Sequence, residues 1–187
     1  MSGTAILAII VIAIVIIGAA AVYVHQFSRT KRLRQRFGPE YDRTLKQTRD
    51  RREAEAKLQR LEKRVERLRI HPLEPTERAR FEEAWRGIQA RFVDNPKGAL
   101  IDADRLIGDV MSAEGYPVLD FQQRAADISV DHPNVAESYR EGHRIALLHA
   151  QGRASTEDLR QAMIHYRTLF DDLVGQQEQR ELSGKVG

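Results

Sequence analysis

Hydrophobic residues are distributed along this chain in two different patterns. The first is a continuous run from Ala5 to Val24, twenty residues dominated by Ile, Val and Ala with no charged side chain. Because a helix rises about 1.5 Å per residue, this run would reach about 30 Å, the thickness of a hydrocarbon core. In lipid such a helix satisfies its own backbone polar groups. The run therefore predicts a transmembrane helix.

The second pattern occupies residues 76–174, where apolar residues recur at helical spacing and no stretch alternates with a period of two. Five stripes of this kind predict five amphipathic helices around one core. In chain order the stripes consist of Phe81, Trp85, Ile88 and Phe92; Ala99, Leu100, Ala103, Leu106, Ile107, Val110 and Met111; Phe121, Ala125 and Ile128; Val135, Tyr139, Ile145, Ala146 and Leu148; and Leu159, Ala162, Met163, Tyr166, Leu169, Phe170 and Leu173. We therefore expect an all-α protein, in which an N-terminal transmembrane helix and a long basic stalk helix precede a bundle of about five helices.

Local signals mark the ends of the bundle helices. Thr76 can cap the first, and Asn95-Pro96 supplies an N-cap followed by a proline in the first turn of the second. Gly115 suits the position after the C-terminus of that second helix. Ser155 and Asp158 resemble a capping box, with Asp in place of the usual Glu. These signals divide the bundle into helices joined by short turns.

A stalk is predicted between the two apolar regions. Gly38-Pro39 ends any helix that leaves the membrane, and the proline suits the first turn of the next helix. From Glu40 to Arg69 there is neither Gly nor Pro, which predicts one helix about 45 Å long. An apolar seam with 3-4-3 spacing is formed by Leu58, Leu61, Val65 and Leu68. About two heptads fit a short coiled coil, and packing of the same residues on the protein's own bundle is equally compatible with the pattern.

Four segments follow from these patterns. Residues 1–28 are the anchor, and residues 29–75 are a basic juxtamembrane segment and stalk helix that end at a break containing two prolines. Residues 76–174 are the helical bundle. Residues 175–187 lack apolar density, and we expect a disordered tail there.

Charge also divides along the chain. Residues 29–69 hold 16 Lys and Arg against 7 Asp and Glu, whereas residues 70–187 hold 14 against 20. Positive charge beside a span favours the cytoplasmic side, and each basic residue contributes about 1 kcal/mol at an anionic lipid surface. We therefore predict a single-pass protein of the bacterial inner membrane, with the N-terminus outside and the C-terminal domain in the cytoplasm. The predicted contacts with lipid headgroups are Arg29, Lys31, Arg32, Arg34 and Arg36.

A cleaved signal peptide is the alternative to a retained anchor. Ala19 and Ala21 give a small-x-small pattern of the kind that precedes a cleavage site. A secretory signal, however, has a basic segment before an apolar core of about 7–15 residues. Here the apolar core is longer and the basic cluster follows it. The sequence therefore favours a retained anchor.

Few residues in the chain suggest catalysis or metal binding. The absence of Cys excludes disulfides, thiolate metal sites and a Cys nucleophile. No GxSxG, HExxH or glycine-rich phosphate loop occurs. His132, His143, His149 and His165 lie in the C-terminal half, but their spacing gives no ligand pair, so surface or cap positions explain them. We predict no catalytic residue, no cofactor and no metal, in a protein that is not an enzyme.

The best candidates for contact with an acidic partner are Arg124, Arg140 and Arg144. The last two lie one turn apart on a predicted helix. The alternative is that these arginines form solvated ion pairs with nearby carboxylates. For the basic stalk, nucleic acid is a weaker candidate than lipid, because aromatic residues are not interleaved with the charges and no recognition motif occurs.

Three strings in the chain resemble an uncharacterised family of bacterial single-span membrane proteins. They are RFGPEYDR at Arg36–Arg43, DFQQRAADISVDHP at Asp120–Pro133 and AMIHYRTLFDDL at Ala162–Leu173. The resemblance covers roughly residues 36–174. It implies a similar membrane anchor, and it brings no activity, cofactor or site residue with it.

The sequence thus predicts a membrane-anchored helical module that binds a protein partner or associates with itself through the stalk. Two alternatives stay open. One is an enzyme or metal-dependent domain with an unrecognised site, and the other is a tether that holds nucleic acid through the basic stalk.

Overall fold

A computed structural model describes residues 3–117 and 120–184 of the chain. Eight helices and no strand occur in these ranges, so the all-α prediction is confirmed. In chain order the helices are α1 (Gly3–Phe37), α2 (Pro39–Thr48), α3 (Arg51–Val65), α4 (Pro75–Phe92), α5 (Pro96–Ala113), α6 (Phe121–Asp131), α7 (Ala136–Ala150) and α8 (Thr156–Gly184). The chain divides into two compact units, Met1–Leu58 and Gln59–Gly187.

The first helix contains the segment that was predicted to span a membrane. Its backbone is helical from Gly3 to Phe37, whereas most side chains between Ala5 and Val24 lie outside the described residues. Among the residues that are described, no helix is both long and apolar enough to cross a membrane. The helix ends before Gly38, which has a φ of 47°, and Pro39 begins α2. The predicted break between these two helices is therefore confirmed.

A small core holds the unit Met1–Leu58 together. Its buried apolar side chains are Leu33, Phe37, Tyr41, Ala54 and Leu58. Glu55 of α3 is buried beside them and accepts two hydrogen bonds, from Thr30 Oγ1 at 2.7 Å and from the Tyr41 hydroxyl at 3.1 Å. Because Thr30 belongs to α1 and Tyr41 to α2, this one carboxylate joins all three helices.

The predicted single stalk helix from Glu40 to Arg69 is wrong, because a turn divides it into α2 and α3. Arg49 closes α2 in the left-handed conformation, with a φ of 58°, and its N–H donates to the Leu45 carbonyl at 2.9 Å. Asp50 then accepts a hydrogen bond from the Arg52 N–H at 2.7 Å, as an N-cap residue does. An Asp side chain that bonds the backbone in this way competes with a continuous helix. After the turn, Glu55 of α3 lies within hydrogen-bond distance of Thr30 of α1.

The second unit contains α4 to α8, the predicted bundle of five helices. Every stripe residue predicted on α5 and α8 is buried, and α8 packs against both α5 and α7. Trp85 of α4 stacks on Phe170 of α8, with ring centroids 4.8 Å apart and planes at 11°. The helical periodicity of the sequence therefore identified the core of the bundle.

Two predicted caps are confirmed by their hydrogen bonds. The Asn95 side chain accepts from the Gly98 N–H at 3.0 Å at the start of α5. Before α8, the Ser155 N–H donates to Asp158 Oδ2 at 2.8 Å, and the Asp158 N–H donates to Ser155 Oγ at 3.2 Å. This reciprocal pair is a capping box in which Asp does what Glu usually does.

Acidic N-cap residues mark the start of α4 and of α6, and the cap predicted for α4 is wrong. Thr76 does not cap α4, which begins at Pro75 after the N-cap residue Glu74. The α6 helix begins at Phe121, where the Asp120 side chain accepts from the Gln123 N–H at 3.1 Å. In both cases an acidic residue at the N-cap defines the start, because a carboxylate satisfies exposed N–H groups and favours the positive end of the helix.

The end of the predicted stalk contacts the bundle. Leu68 and Ile70 pack against the bundle core, and Arg64 Nε donates to Asp127 Oδ1 at 3.0 Å. Asp127 is only 1% exposed, whereas the Arg64 side chain is 41% exposed, so the carboxylate of this ion pair is buried and the guanidinium group reaches solvent. Leu68 of the apolar seam therefore packs on the protein's own helical domain. This is the alternative that the sequence left open beside a coiled coil. The α3 helix itself ends at Val65 rather than at Arg69.

The last helix is longer than the sequence suggested. α8 continues to Gly184, through the segment in which we expected a disordered tail from residue 175 onward. No proline interrupts residues 175–184, and Gln, Glu and Arg are good helix formers. A helix can therefore continue there without apolar residues to bury.

Candidate functional site

A groove of about 900 Å³ lies beside α1 and the start of α3, within the unit Met1–Leu58. Four arginines and two aromatic residues contribute to its lining. They are Arg29, Arg34, Arg51, Arg52, Tyr23 and Phe27. Two carboxylates, Asp50 and Glu55, also line the groove, so its formal charge is positive.

The charged groups of the groove differ in how far they are already engaged. Asp50 caps α3, and Glu55 accepts bonds from two hydroxyls. Arg34 donates to Asp42 at 3.0 Å. Arg51 and Arg52 are exposed, and within the described residues neither guanidinium forms an ion pair with a carboxylate. These two arginines are therefore the groove's available cations.

The predicted headgroup contacts are only partly gathered in this groove. Arg29 and Arg34 line it, whereas Lys31, Arg32 and Arg36 are exposed on α1 outside the lining. Arg51 and Arg52 were not predicted, because they follow a turn that the sequence analysis did not identify. The groove therefore combines basic residues from two helices that are distant in sequence.

A second candidate is a polar cluster inside the bundle, to which four helices contribute. Its members are Asp104 of α5, Arg124 of α6, Tyr139 and His143 of α7, and Tyr166 of α8. The Tyr166 hydroxyl donates to Asp104 Oδ1 at 2.8 Å, and His143 Nδ1 lies 3.7 Å from the same oxygen. The Arg124 charge acts on Asp104 and on both tyrosines. The cluster thus places one carboxylate among two phenols and two basic groups.

The Phe121 ring packs against this polar cluster, in which the His143 and Asp104 side chains are 21% and 30% exposed. Phe121 stacks on His143 with centroids 3.6 Å apart, and it meets the edge of Tyr139 at 4.9 Å. Gly142 lies against the Tyr166 ring, where an added Cβ would approach within 3.2 Å. A larger side chain at Gly142 would therefore displace the phenol that bonds Asp104.

Burial and neighbouring charges set the protonation of the cluster. Burial raises the pKa of the Tyr139 and Tyr166 hydroxyls, so both phenols are neutral. Burial also raises the pKa of Asp104, but nearby His143, the Tyr166 hydrogen bond and the Arg124 charge outweigh it, and the net pKa is lowered. Asp104 is therefore ionised near neutral pH. Three buried atoms around it, Arg124 Nε, the Tyr139 hydroxyl and His143 Nδ1, make no hydrogen bond within the described part of the chain.

The pKa of Asp104 predicts a specific sensitivity to acid. A carboxyl group whose pKa is lower in the folded than in the unfolded protein stabilises the fold above its unfolded pKa of about 3.8. That stabilisation disappears as the pH falls through the lower, folded-state pKa. Between about pH 5 and pH 3, the free energy of unfolding should therefore fall less in Asp104→Asn than in the wild type.

Urea unfolding at several pH values, followed by the fluorescence of Trp85, measures this difference. Asp109→Asn is the matched control, because Asp109 is exposed on the same helix. It should show the same acid dependence as the wild type. An Asp104→Asn variant that loses as much stability on acidification as the control would contradict the role assigned to Asp104.

The three arginines predicted to contact a partner do not form one exposed patch. Arg124 belongs to the polar cluster around Asp104 and is only partly exposed. The Arg140 side chain is only 10% exposed and donates to the Ala125 carbonyl at 3.2 Å. Arg144 is exposed, but its Nε donates to both carboxylate oxygens of Glu141, at 2.9 and 3.0 Å. The ion-pair alternative thus describes Arg144, and it also describes Arg140, which lies 3.8 Å from a carboxylate oxygen of Glu137.

The histidines differ from each other in their surroundings. His132 is the C-cap residue of α6, in agreement with a cap position, but its side chain is buried and bonds Asp172 of α8 through Nδ1. His143 belongs to the polar cluster, and its side chain is 21% exposed. The surroundings of both histidines depend on other helices, which spacing within one helix does not reveal.

Neither candidate site resembles a metal centre. In residues 3–117 and 120–184, no group of three or more His, Asp or Glu side chains is placed to hold a metal ion. No protein-family model, curated protein or solved structure matches the chain. Function is therefore inferred from the chain's own residues.

Proposed function

We propose that this protein is a membrane-anchored helical interaction module, held by α1 with its N-terminus outside and its bundle in the bacterial cytoplasm. The observation that carries the proposal is the exposure of large apolar side chains along α1. Ile12, Ile14, Ile16 and Ile17 are 58–68% exposed. Successive helical residues are rotated by about 100°, so these four residues point to different sides of the helix.

A helix that is apolar on all sides is either buried in protein or placed in lipid. The described isoleucines of α1 are exposed, which supports lipid as their surroundings. The basic residues that follow favour the cytoplasmic side, as the positive-inside rule requires. Beyond them, residues 70–187 carry more acidic than basic groups, and such a surface complements a basic protein partner.

The polar cluster around Asp104 supports a structural role better than a catalytic one. The Tyr166 hydroxyl donates to Asp104, and Phe121 stacks on His143, so these groups are engaged in contacts within the bundle. A hydrogen bond that joins two helices, such as the one from Tyr166 to Asp104, helps to fix a unique packing of a core. A rigid bundle of this kind is suited to presenting a binding surface.

Proximity labelling in living cells tests the anchor, the orientation and the partner together. With a labelling ligase fused after Gly187, we expect biotin on cytoplasmic proteins and on proteins of the inner membrane. The matched control is the same fusion lacking residues 1–28, which should lose the membrane proteins. Labelling of extracytoplasmic proteins would contradict the orientation, and identical sets from both fusions would contradict the anchor. If the full chain labels only itself, then a partner of different sequence is excluded.

A further inference from the structure

The geometry points to the groove of Arg29, Arg34, Arg51 and Arg52 as a binding site for the phosphate headgroup of an anionic phospholipid. This inference rests on the proposed membrane anchor and adds a specific ligand to it. The groove brings four guanidinium groups from α1 and α3 around one space of about 900 Å³. Guanidinium groups bind phosphate through paired, charge-assisted hydrogen bonds.

The groove can accept a further anion because its two carboxylates already accept hydrogen bonds, whereas two of its arginines have no carboxylate partner within the described residues. Glu55 and Asp50 are held by hydrogen bonds to Thr30, to Tyr41 and to the α3 backbone. Within the described residues, Arg51 and Arg52 have no carboxylate partner. A phosphate bound between them would supply the missing negative charge.

The position of the groove along α1 selects a lipid phosphate rather than a soluble one. Tyr23 and Phe27 border the groove and are 72% and 64% exposed. Tyr23 is next to Val24, the last residue of the proposed span. Aromatic rings favour the interface between hydrocarbon and water, which is the level of the headgroups. The same groove residues therefore provide an apolar border for acyl chains and a basic wall for phosphate.

The fold explains why Arg51 and Arg52 contribute as much as the residues next to the span. The turn at Arg49 and Asp50 places the start of α3 beside α1, and Glu55 fixes it there through Thr30. The fold therefore brings Arg51 and Arg52 to the groove, whereas Lys31 is exposed on α1 outside its lining.

Native mass spectrometry of the full chain in a nonionic detergent tests this site. The probes are dioleoylphosphatidylglycerol and dioleoylphosphatidylcholine, and the variant is Arg51→Gln with Arg52→Gln. We expect the wild type to retain phosphatidylglycerol about tenfold more tightly than phosphatidylcholine, and the variant to lose this preference. The matched control is Lys57→Gln with Arg60→Gln, two exposed residues of the same helix outside the groove. It removes the same charge and should keep the preference.

Each other outcome overturns the inference. Equal retention of both lipids, or equal loss in the variant and the control, would exclude a specific site. Displacement of phosphatidylglycerol by equimolar inorganic phosphate would identify a site for soluble anions, and displacement by an oligonucleotide would identify a nucleic-acid site. Extraction of native membranes with alkaline carbonate separates this inference from the proposed anchor. Release of the wild-type protein by carbonate contradicts the anchor. If carbonate does not release the wild type and the wild type shows no preference for phosphatidylglycerol, then only the groove is contradicted.

Discussion

Phe170→Ala is expected to lower the free energy of unfolding of the bundle by about 3–5 kcal/mol. Phe170 is 3% exposed and stacks on Trp85, so the substitution removes buried area, leaves a cavity and breaks an aromatic pair. No other substitution considered for this chain removes as much from the core. The effect is therefore large against a typical domain stability of about 5–15 kcal/mol.

Urea unfolding of the full chain in detergent, followed by tryptophan fluorescence, measures this effect. Trp85 is the sole tryptophan, so the signal reports the bundle and not α1. Val93→Ala is the control, because Val93 is 84% exposed, and it should change the stability by less than about 0.5 kcal/mol. Phe170→Leu separates the contribution of buried apolar area from that of the aromatic pair, since leucine keeps an apolar side chain but cannot stack on Trp85. Equal urea midpoints for Phe170→Ala and Val93→Ala would show that the stacked pair is not part of a cooperative core.

The bundle was the part of the fold most accessible from sequence. Its core depends on apolar stripes within single helices, and a stripe such as the one on α8 is visible because every member lies three or four residues from another member. The caps at Asn95 and Ser155 are equally local, since their partners lie three residues away. Features that depend only on residues a few positions apart, such as stripes and caps, could therefore be predicted from the sequence.

The division of the stalk could not be predicted in the same way, because its signal is a single aspartate, Asp50. This residue stands in a run of charged residues, where an aspartate is usually a solvated side chain. Arg49 is not a residue type that usually takes the left-handed conformation. The turn is fixed by tertiary contacts, in which Glu55 bonds Thr30 and Tyr41. As a result, the basic groove was also missed in part, since half of its arginines follow this turn.

The cluster around Asp104 shows a different limit of the sequence. Tyr139 and Tyr166 were predicted correctly as core residues of their stripes, but a stripe does not tell where a hydroxyl group finds its partner. Asp104 lies beside the apolar face of α5 and gives no signal of its own. A tyrosine in an otherwise non-polar stripe is the one available hint, because a buried phenol usually requires a hydrogen-bond partner. Identifying that partner requires the arrangement of four helices.

Gly115 carries the second large effect, since it allows the chain before the bundle to cross the end of α5. Its φ is 96°, and a Cβ added there would overlap the backbone carbonyl oxygen of Arg69. Beside it, the His71 N–H donates to the Glu114 carbonyl at 2.9 Å. Alanine at this position should therefore combine the cost of a positive φ, about 1–2 kcal/mol, with a clash between two backbone segments.

We expect Gly115→Ala to lower the free energy of unfolding by about 2–4 kcal/mol in total. Gly152→Ala is a matched control, because Gly152 has a φ of 69° and nothing within 4 Å of the added Cβ. It should show only the cost of the positive φ, about 1–2 kcal/mol. Urea unfolding followed by Trp85 fluorescence gives both values, and their difference isolates the clash. If the two alanine variants are equally stable, then the backbone at Arg69 moves away from the added Cβ without loss of stability. That result would contradict the close contact with the end of α5 that the hydrogen bond from His71 indicates.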